Sequence, residues 1–158
     1  MAIKFHKNIR SLVMNRGILA AGYDLPTAIS IYSGAHPSAI DIVNNWVNYN
    51  ATKTNFLAHY TGAVWAYATS ASADFCSIVT MPDPVIPVNP GTGEWCILWT
   101  TNPTLADMAL ETMPADQFLV CSVTTLVTAG VIRFNPDTVF VSGELKEITD
   151  GMVSITST

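Results

Sequence analysis

The sequence predicts a mainly β protein: an antiparallel β-sandwich or barrel-like body with an N-terminal helix and one or two short helices. Three observations carry that prediction. From Glu94 to Thr100 the chain alternates with period two, placing Trp95, Ile97 and Trp99 on one side and Cys96 and Leu98 on the other, as a strand does. After Pro114 it divides into short segments rich in β-branched and aromatic residues: Phe118 to Val127, Val131 to Phe134, Thr138 to Val141, Glu144 to Ile148 and Met152 to Thr156. Gly130, Asn135-Pro136-Asp137, Ser142-Gly143 and Asp150-Gly151 stand between them, and these are turn-forming residues. Several short strands joined by such turns indicate a sandwich or barrel.

Taken in order, Phe5, Ile9, Leu12 and Val13 fall at i, i+4, i+7 and i+8, which predicts a helix over residues 5–15 with one apolar face. Thr27 to Ser33 alternates around β-branched residues and stops at Gly34, so a strand is expected there. His36-Pro37-Ser38-Ala39 opens a second helix in which Ile40, Val43 and Val47 share one face and Ile42 and Trp46 an adjoining one. Asn44, Asn45, Asn48 and Asn50 are poor helix formers and keep an irregular loop as the alternative. Phe56 to Thr80 predicts two strands around a polar turn at Ser70-Ala71-Ser72. Residues 81–91 hold Pro82, Pro84, Pro87 and Pro90, which remove ladder donors and predict an extended loop. Such a stiff segment loses little entropy on binding, so Pro84, Ile86 and Pro87 are expected to meet a partner. Thr104 to Met113 predicts a short helix capped by Thr104, with Leu105, Met108 and Ala109 facing inward.

The 158 residues suit one domain over 1–158, with 1–22 as an N-terminal docking arm or helix. The composition is 49% hydrophobic and only 12% charged, about half the charged fraction of an ordinary soluble domain. A surface so poor in charge is weakly protected against association, and a permanent partner accounts for it better than a free monomer. Polar residues interrupt every apolar run well short of the roughly eighteen positions a membrane helix needs. The basic residues near the start are interleaved with apolar ones and precede no continuous apolar run, so synthesis in the cytoplasm is expected. Cys76, Cys96 and Cys121 are odd in number and far apart, which predicts reduced thiols.

Charge is unevenly distributed. Residues 1–16 hold Lys4, Lys7, Arg10 and Arg16 and no acid, so they carry +4 and leave −9 for the remainder of a chain whose net charge is −5. That asymmetry fits an arm docking on an acidic surface, with Lys4, Phe5, Lys7, Ile9, Arg10, Leu12 and Val13 as its contacts. Nucleic-acid binding is disfavoured, because the rest of the chain repels phosphates.

No residue set signals catalysis. His6 lies in the basic segment, His36 precedes a proline and His59 sits in an aromatic strand. His36, Ser38 and Asp41 are too close in sequence to face one another as a triad. The carboxylates are scattered and many adjoin Pro or Gly, where acids serve turns; no metal-ligand spacing and no phosphate-binding glycine pattern occurs. Catalytic residues, cofactor and metal are therefore all expected to be none. Asn50-Ala51-Thr52 matches a glycosylation triplet, but no secretory signal accompanies it. Trp46, Trp65, Trp95 and Trp99 are expected in core or interface packing, with stacking on sugars or bases as the alternative.

The stretch from Arg10 to Ser38, RSLVMNRGILAAGYDLPTAISIYSGAHPS, resembles small virion proteins of tailed bacteriophages, in which a basic N-terminal helix precedes an all-β body. Gly130-Val131-Ile132-Arg133-Phe134 and Met152-Val153-Ser154-Ile155-Thr156 add to the likeness, which covers the two ends better than residues 50–115. The resemblance implies a non-enzymatic component of the virion, synthesised in the host cytoplasm, whose partners are other virion proteins. A capsid decoration or cement protein bound to the major capsid protein, itself a homo-oligomer, is the leading expectation. The alternatives are a tail, neck or baseplate component, and a carbohydrate-binding module for host attachment that uses exposed tryptophans.

Overall fold

The computed structural model describes residues 28–69, 73–115, 118–124 and 131–156. The helix expected over 5–15, and with it Lys4, Phe5, Lys7, Ile9, Arg10, Leu12 and Val13, lies outside the described residues.

The protein is mainly β. Its strands are β1 (Ala28–Tyr32), β2 (Phe56–Thr61), β3 (Val64–Thr69), β4 (Ala73–Thr80), β5 (Gly91–Thr92), β6 (Trp95–Trp99), β7 (Phe118–Thr124), β8 (Ile132–Arg133), β9 (Val139–Phe140) and β10 (Asp150–Thr156). Among the described residues, two short helices, α1 (Ala39–Asn44) and α2 (Leu105–Met108), and a 3-10 turn at Trp46–Asn48 interrupt them. An eight-stranded sheet runs β2-β1-β6-β7-β8-β10-β4-β3, and β5 pairs with β9 in a separate ribbon. All the pairings are antiparallel except that of β7 with β8, where Val123 and Thr124 run parallel to Ile132 and Arg133.

The two-residue β8 joins a four-stranded half, β2-β1-β6-β7, to the half formed by β10, β4 and β3. Ile29, Ile31, Cys96 and Leu98 from the first half share one buried core with Trp65 and Ile78 from the second. The sheet therefore folds over itself in the manner of a sandwich. On its opposite face, Ala28, Tyr32, Trp95, Ile97 and Trp99 form a second core with Ile42, Trp46 and Met108 from the helical segments. Covered on both sides, β1 and β6 are buried at every position. The period-two expectation for β6 holds, with Trp95, Ile97 and Trp99 in one core and Cys96 and Leu98 in the other.

Several expected elements have different limits. Phe56 to Thr80 forms three strands, not two, because Gly62, at φ +81, turns the chain between β2 and β3. The helix after Pro37 ends at Asn44 and resumes as the 3-10 turn, a consequence of the asparagine-rich sequence. It is capped by the Ser38 hydroxyl, which accepts from the Asp41 N–H. The helix expected to Met113 stops at Met108; a Thr104–Asp107 capping box starts it, Met108 is buried, and Leu105 and Ala109 are exposed. Glu144 to Ile148 is not a strand, and its one pairing there is an isolated bridge from Lys146 to Val85.

Candidate interaction surface

The histidine of β2 forms the arrangement nearest to a catalytic pair. Ser30 Oγ lies 2.9 Å from His59 Nδ1, and His59 Nε2 lies 2.7 Å from the Pro103 carbonyl oxygen. A carbonyl only accepts, so Nε2 carries the proton and Nδ1 accepts from the Ser30 hydroxyl. The Ser30 oxygen in turn accepts from Trp99 Nε1 at 2.9 Å. Both the serine and the histidine are buried, and burial lowers the His59 pKa despite the Pro103 hydrogen bond. The chain of bonds is closed: it ties β1, β2 and β6 to the segment before α2, and leaves the hydroxyl no path to a substrate.

The other polar groups singled out in the sequence are also used locally. Ser38 caps α1, His36 Nδ1 lies 2.9 Å from the Pro37 oxygen, and the Asp41 carboxylate accepts from Tyr49 and Asn45. That bond to Asp41, before burial, pushes the Tyr49 pKa up to about 12. Asn50 is buried, and its Oδ1 accepts from both the N–H and the hydroxyl of Thr52, so the glycosylation triplet is an Asx turn. Among the described residues no group of three or more His, Cys, Asp and Glu is placed to hold a metal ion. Cys96 and Cys121, opposite one another on β6 and β7, are free thiols. All four tryptophans are buried. Trp46, Trp95 and Trp99 direct their indole N–H groups to Leu110, Ser33 and Ser30, so no exposed indole platform for a sugar is present.

What reaches solvent instead is aliphatic. The proline-rich segment runs beside β2, with the Val88 N–H donating to the Leu57 oxygen at 2.7 Å and Asn89 Nδ2 to the Phe56 oxygen at 2.8 Å. Its Val85 bridges antiparallel to Lys146, and the next residue on each side, Ile86 and Leu145, is exposed. Val139 and Val141 flank the buried Phe140 and are exposed in their turn. Together with Pro84, the valines and Leu145 line an open groove of about 510 Å³, whose acids are Asp137, Glu144 and Glu147. Lys146 is drawn inward: its ammonium lies 5.8 Å from the ring centres of both Phe134 and Phe140 and 2.8 Å from Asp137. That ammonium, then the Val139 N–H, holds the Asp137 carboxyl below the usual range.

Of the described residues expected at a partner contact, Pro84 and Ile86 are exposed and Pro87 is buried against the protein's own body. The groove brings Pro84 together with Val139, Val141 and Leu145, which sequence reading assigned only to strands. Their signal was present in Val139-Phe140-Val141: a strand with apolar residues on both faces needs a cover for each. A second apolar surface lies on the helical segment, where Ile42 and Trp46 are the buried side and Ile40, Val43 and Val47 face solvent. No family model matches this chain, and neither a curated protein nor a solved structure does.

Proposed function

We propose that this chain is a non-enzymatic structural protein that assembles with other protein subunits. Its setting in this proposal is a tailed-phage virion, and its role that of a capsid decoration protein on the major capsid subunits. The observation that carries the reading is the pair of exposed aliphatic surfaces, Ile86, Val139, Val141 and Leu145 on one and Ile40, Val43 and Val47 on the other, in a chain with 12% charged residues. The virion setting rests on the likeness of the stretch from Arg10 to Ser38.

Magnitude favours a multivalent assembly over an isolated dimer. Covering four half-exposed aliphatic side chains contributes on the order of 3–6 kcal/mol, no more than the rigid-body entropy cost of association. Many such contacts made at once on a lattice add without repeating that cost in full. The test is proteomics of purified particles from the phage that encodes the chain, with copy number measured against the major capsid protein. Stoichiometry proportional to capsid subunits supports decoration, a single ring per particle moves the role to the tail or neck, and absence from the particle sinks the virion reading.

A further inference from the structure

We propose that Cys96 and Cys121 form a reversible cross-strand disulfide when the chain meets a low-molecular-weight disulfide oxidant. The two residues are far apart in sequence but stand directly opposite in the fold, Cys96 on β6 and Cys121 on β7. Trp95 opposite Ser122 and Ile97 opposite Val120 continue the same register on either side, so no bulge offsets the pair. Both side chains meet the same core, Cys96 within it and Cys121 packed against it. Both are free, and their thiols lie within hydrogen-bonding reach of each other.

Backbone geometry permits the bond. Directly opposed residues of an antiparallel pair hold their Cα atoms about 4.5–5.5 Å apart, inside the span of about 4.4–6.8 Å that disulfides occupy. Their Cβ atoms lie about 4.5–5.5 Å apart, against about 3.5–4.5 Å in a disulfide, so closure draws the strands together by about 1 Å. Strand β7 can give that much: β6 flanks it along its whole length, whereas β8 pairs only with Val123 and Thr124.

Exposure sets the order of reaction. Cys121 is half-buried and Cys96 fully buried; burial, then the neighbouring Cys121 thiol, raises the Cys96 pKa well above its ordinary value. The Cys121 thiolate attacks one sulfur of the oxidant, forming a mixed disulfide and releasing the first small thiolate, which takes up the proton that Cys121 gave up. The Cys96 sulfur then attacks the Cys121 sulfur, and the second small thiol leaves with the Cys96 proton. Two protein thiols are thus oxidised by two electrons while one small disulfide is reduced to two thiols. A reducing cytoplasm keeps the pair open, and an oxidising medium closes it.

The experiment equilibrates the full chain, folded and in urea, with mixtures of reduced and oxidised glutathione, quenches with acid and maps the products by non-reducing peptide mass spectrometry. Expected is a loss of about two mass units and one peptide pair joined through Cys96 and Cys121, unchanged in Cys76→Ser. Half-oxidation of the folded chain should occur in a glutathione pool at least about tenfold more reducing than in urea, because the strand register holds the thiols together. Cys96→Ala should stop at one glutathione on Cys121, whereas Cys121→Ala should take up none at Cys96. A bond through Cys76, bonds between chains, glutathione retained on Cys121 of the native chain, or half-oxidation no easier folded than unfolded would each overturn the inference. Should neither alanine variant fold, the peptide map and the urea comparison on the native chain decide.

Discussion

Trp99→Ala tests the packing on which both cores depend. The indole is fully buried, meets Trp46 edge-on at 5.8 Å between ring centres and Phe118 at 5.5 Å, and donates to Ser30 Oγ. Truncating a buried tryptophan to alanine costs about 3–5 kcal/mol, and the aromatic contacts place this site towards the upper end. A domain is stable by only about 5–15 kcal/mol, so a large part of the total is at stake. Trp99→Phe separates packing from hydrogen bonding: it keeps most of the apolar area and removes the N–H. Ser30 still has His59 as a partner, so the lost bond should cost only about 1 kcal/mol beyond the smaller ring. Urea denaturation of both variants, compared at unchanged m-value, gives the numbers. A loss under about 1 kcal/mol for Trp99→Ala would refute the burial argument, and a phenylalanine variant as damaged as the alanine one would shift the weight from packing to the Ser30 bond.

The buried His59, kept neutral, makes stability depend on pH. Its pKa in the folded protein lies below 6.5, chiefly through desolvation, so the unfolded chain takes up protons first; stability is complete above pH 6.5 and declines as pH falls below it. Denaturant midpoints should fall across that interval in the native protein and lose this slope in His59→Gln, well above the range where Asp107 and Asp137 titrate. Tyr32→Phe should be neutral or stabilise by up to about 1 kcal/mol, because the buried hydroxyl has no hydrogen-bond partner among the described residues; a loss of similar size in thermal melts would mean that the hydroxyl bonds to Ser30. Gly151→Ala should cost about 1–3 kcal/mol, since its Cβ would lie 2.5 Å from Ile78 Cδ1 and 3.0 Å from Ile132 Cδ1. Combining it with Ile78→Val should return part of that loss, and strict additivity of the two changes in denaturant melts would disprove the clash.

Strand β6 was legible because its alternation is uninterrupted and each side meets a different core. Glu144 to Ile148 was not, although Leu145 and Ile148 are apolar: the Pro-rich segment beside it offers few ladder donors, so pairing shrinks to the single bridge at Val85. The third strand within Phe56 to Thr80 hid behind a run of apolar residues, with only Gly62 marking the reversal. On the helical segment, the spacing gave two apolar faces without saying which is buried. Trp46 decides it, because its indole N–H finds the Leu110 oxygen at 3.0 Å and its ring finds Trp99. The groove was half legible: proline stiffness pointed to Pro84 and Ile86, but Val139, Val141 and Leu145 join them only through long-range pairing.

The closed Ser30–His59–Trp99 network also bears on where function can reside. A nucleophilic serine must expose its oxygen to substrate and to a base at once, yet here the oxygen accepts from one ring while its proton goes to another, in a site sealed by both cores. Opening it would strip Trp99 of its acceptor and part His59 from the Pro103 carbonyl, costing several hydrogen bonds of about 1 kcal/mol each together with the packing above them. The network's polarity is spent on joining three strands to the loop that starts α2. Ser30 and His59 thus serve as architecture, whereas the aliphatic side chains around Leu145 and Val43 are exposed. Asp substitutions at those two positions, made one at a time, should leave the stability from urea melts within about 0.5 kcal/mol, as exposed sites do, while under the proposed decoration role they reduce attachment to particles. Undiminished attachment of both variants would take the contact away from these surfaces.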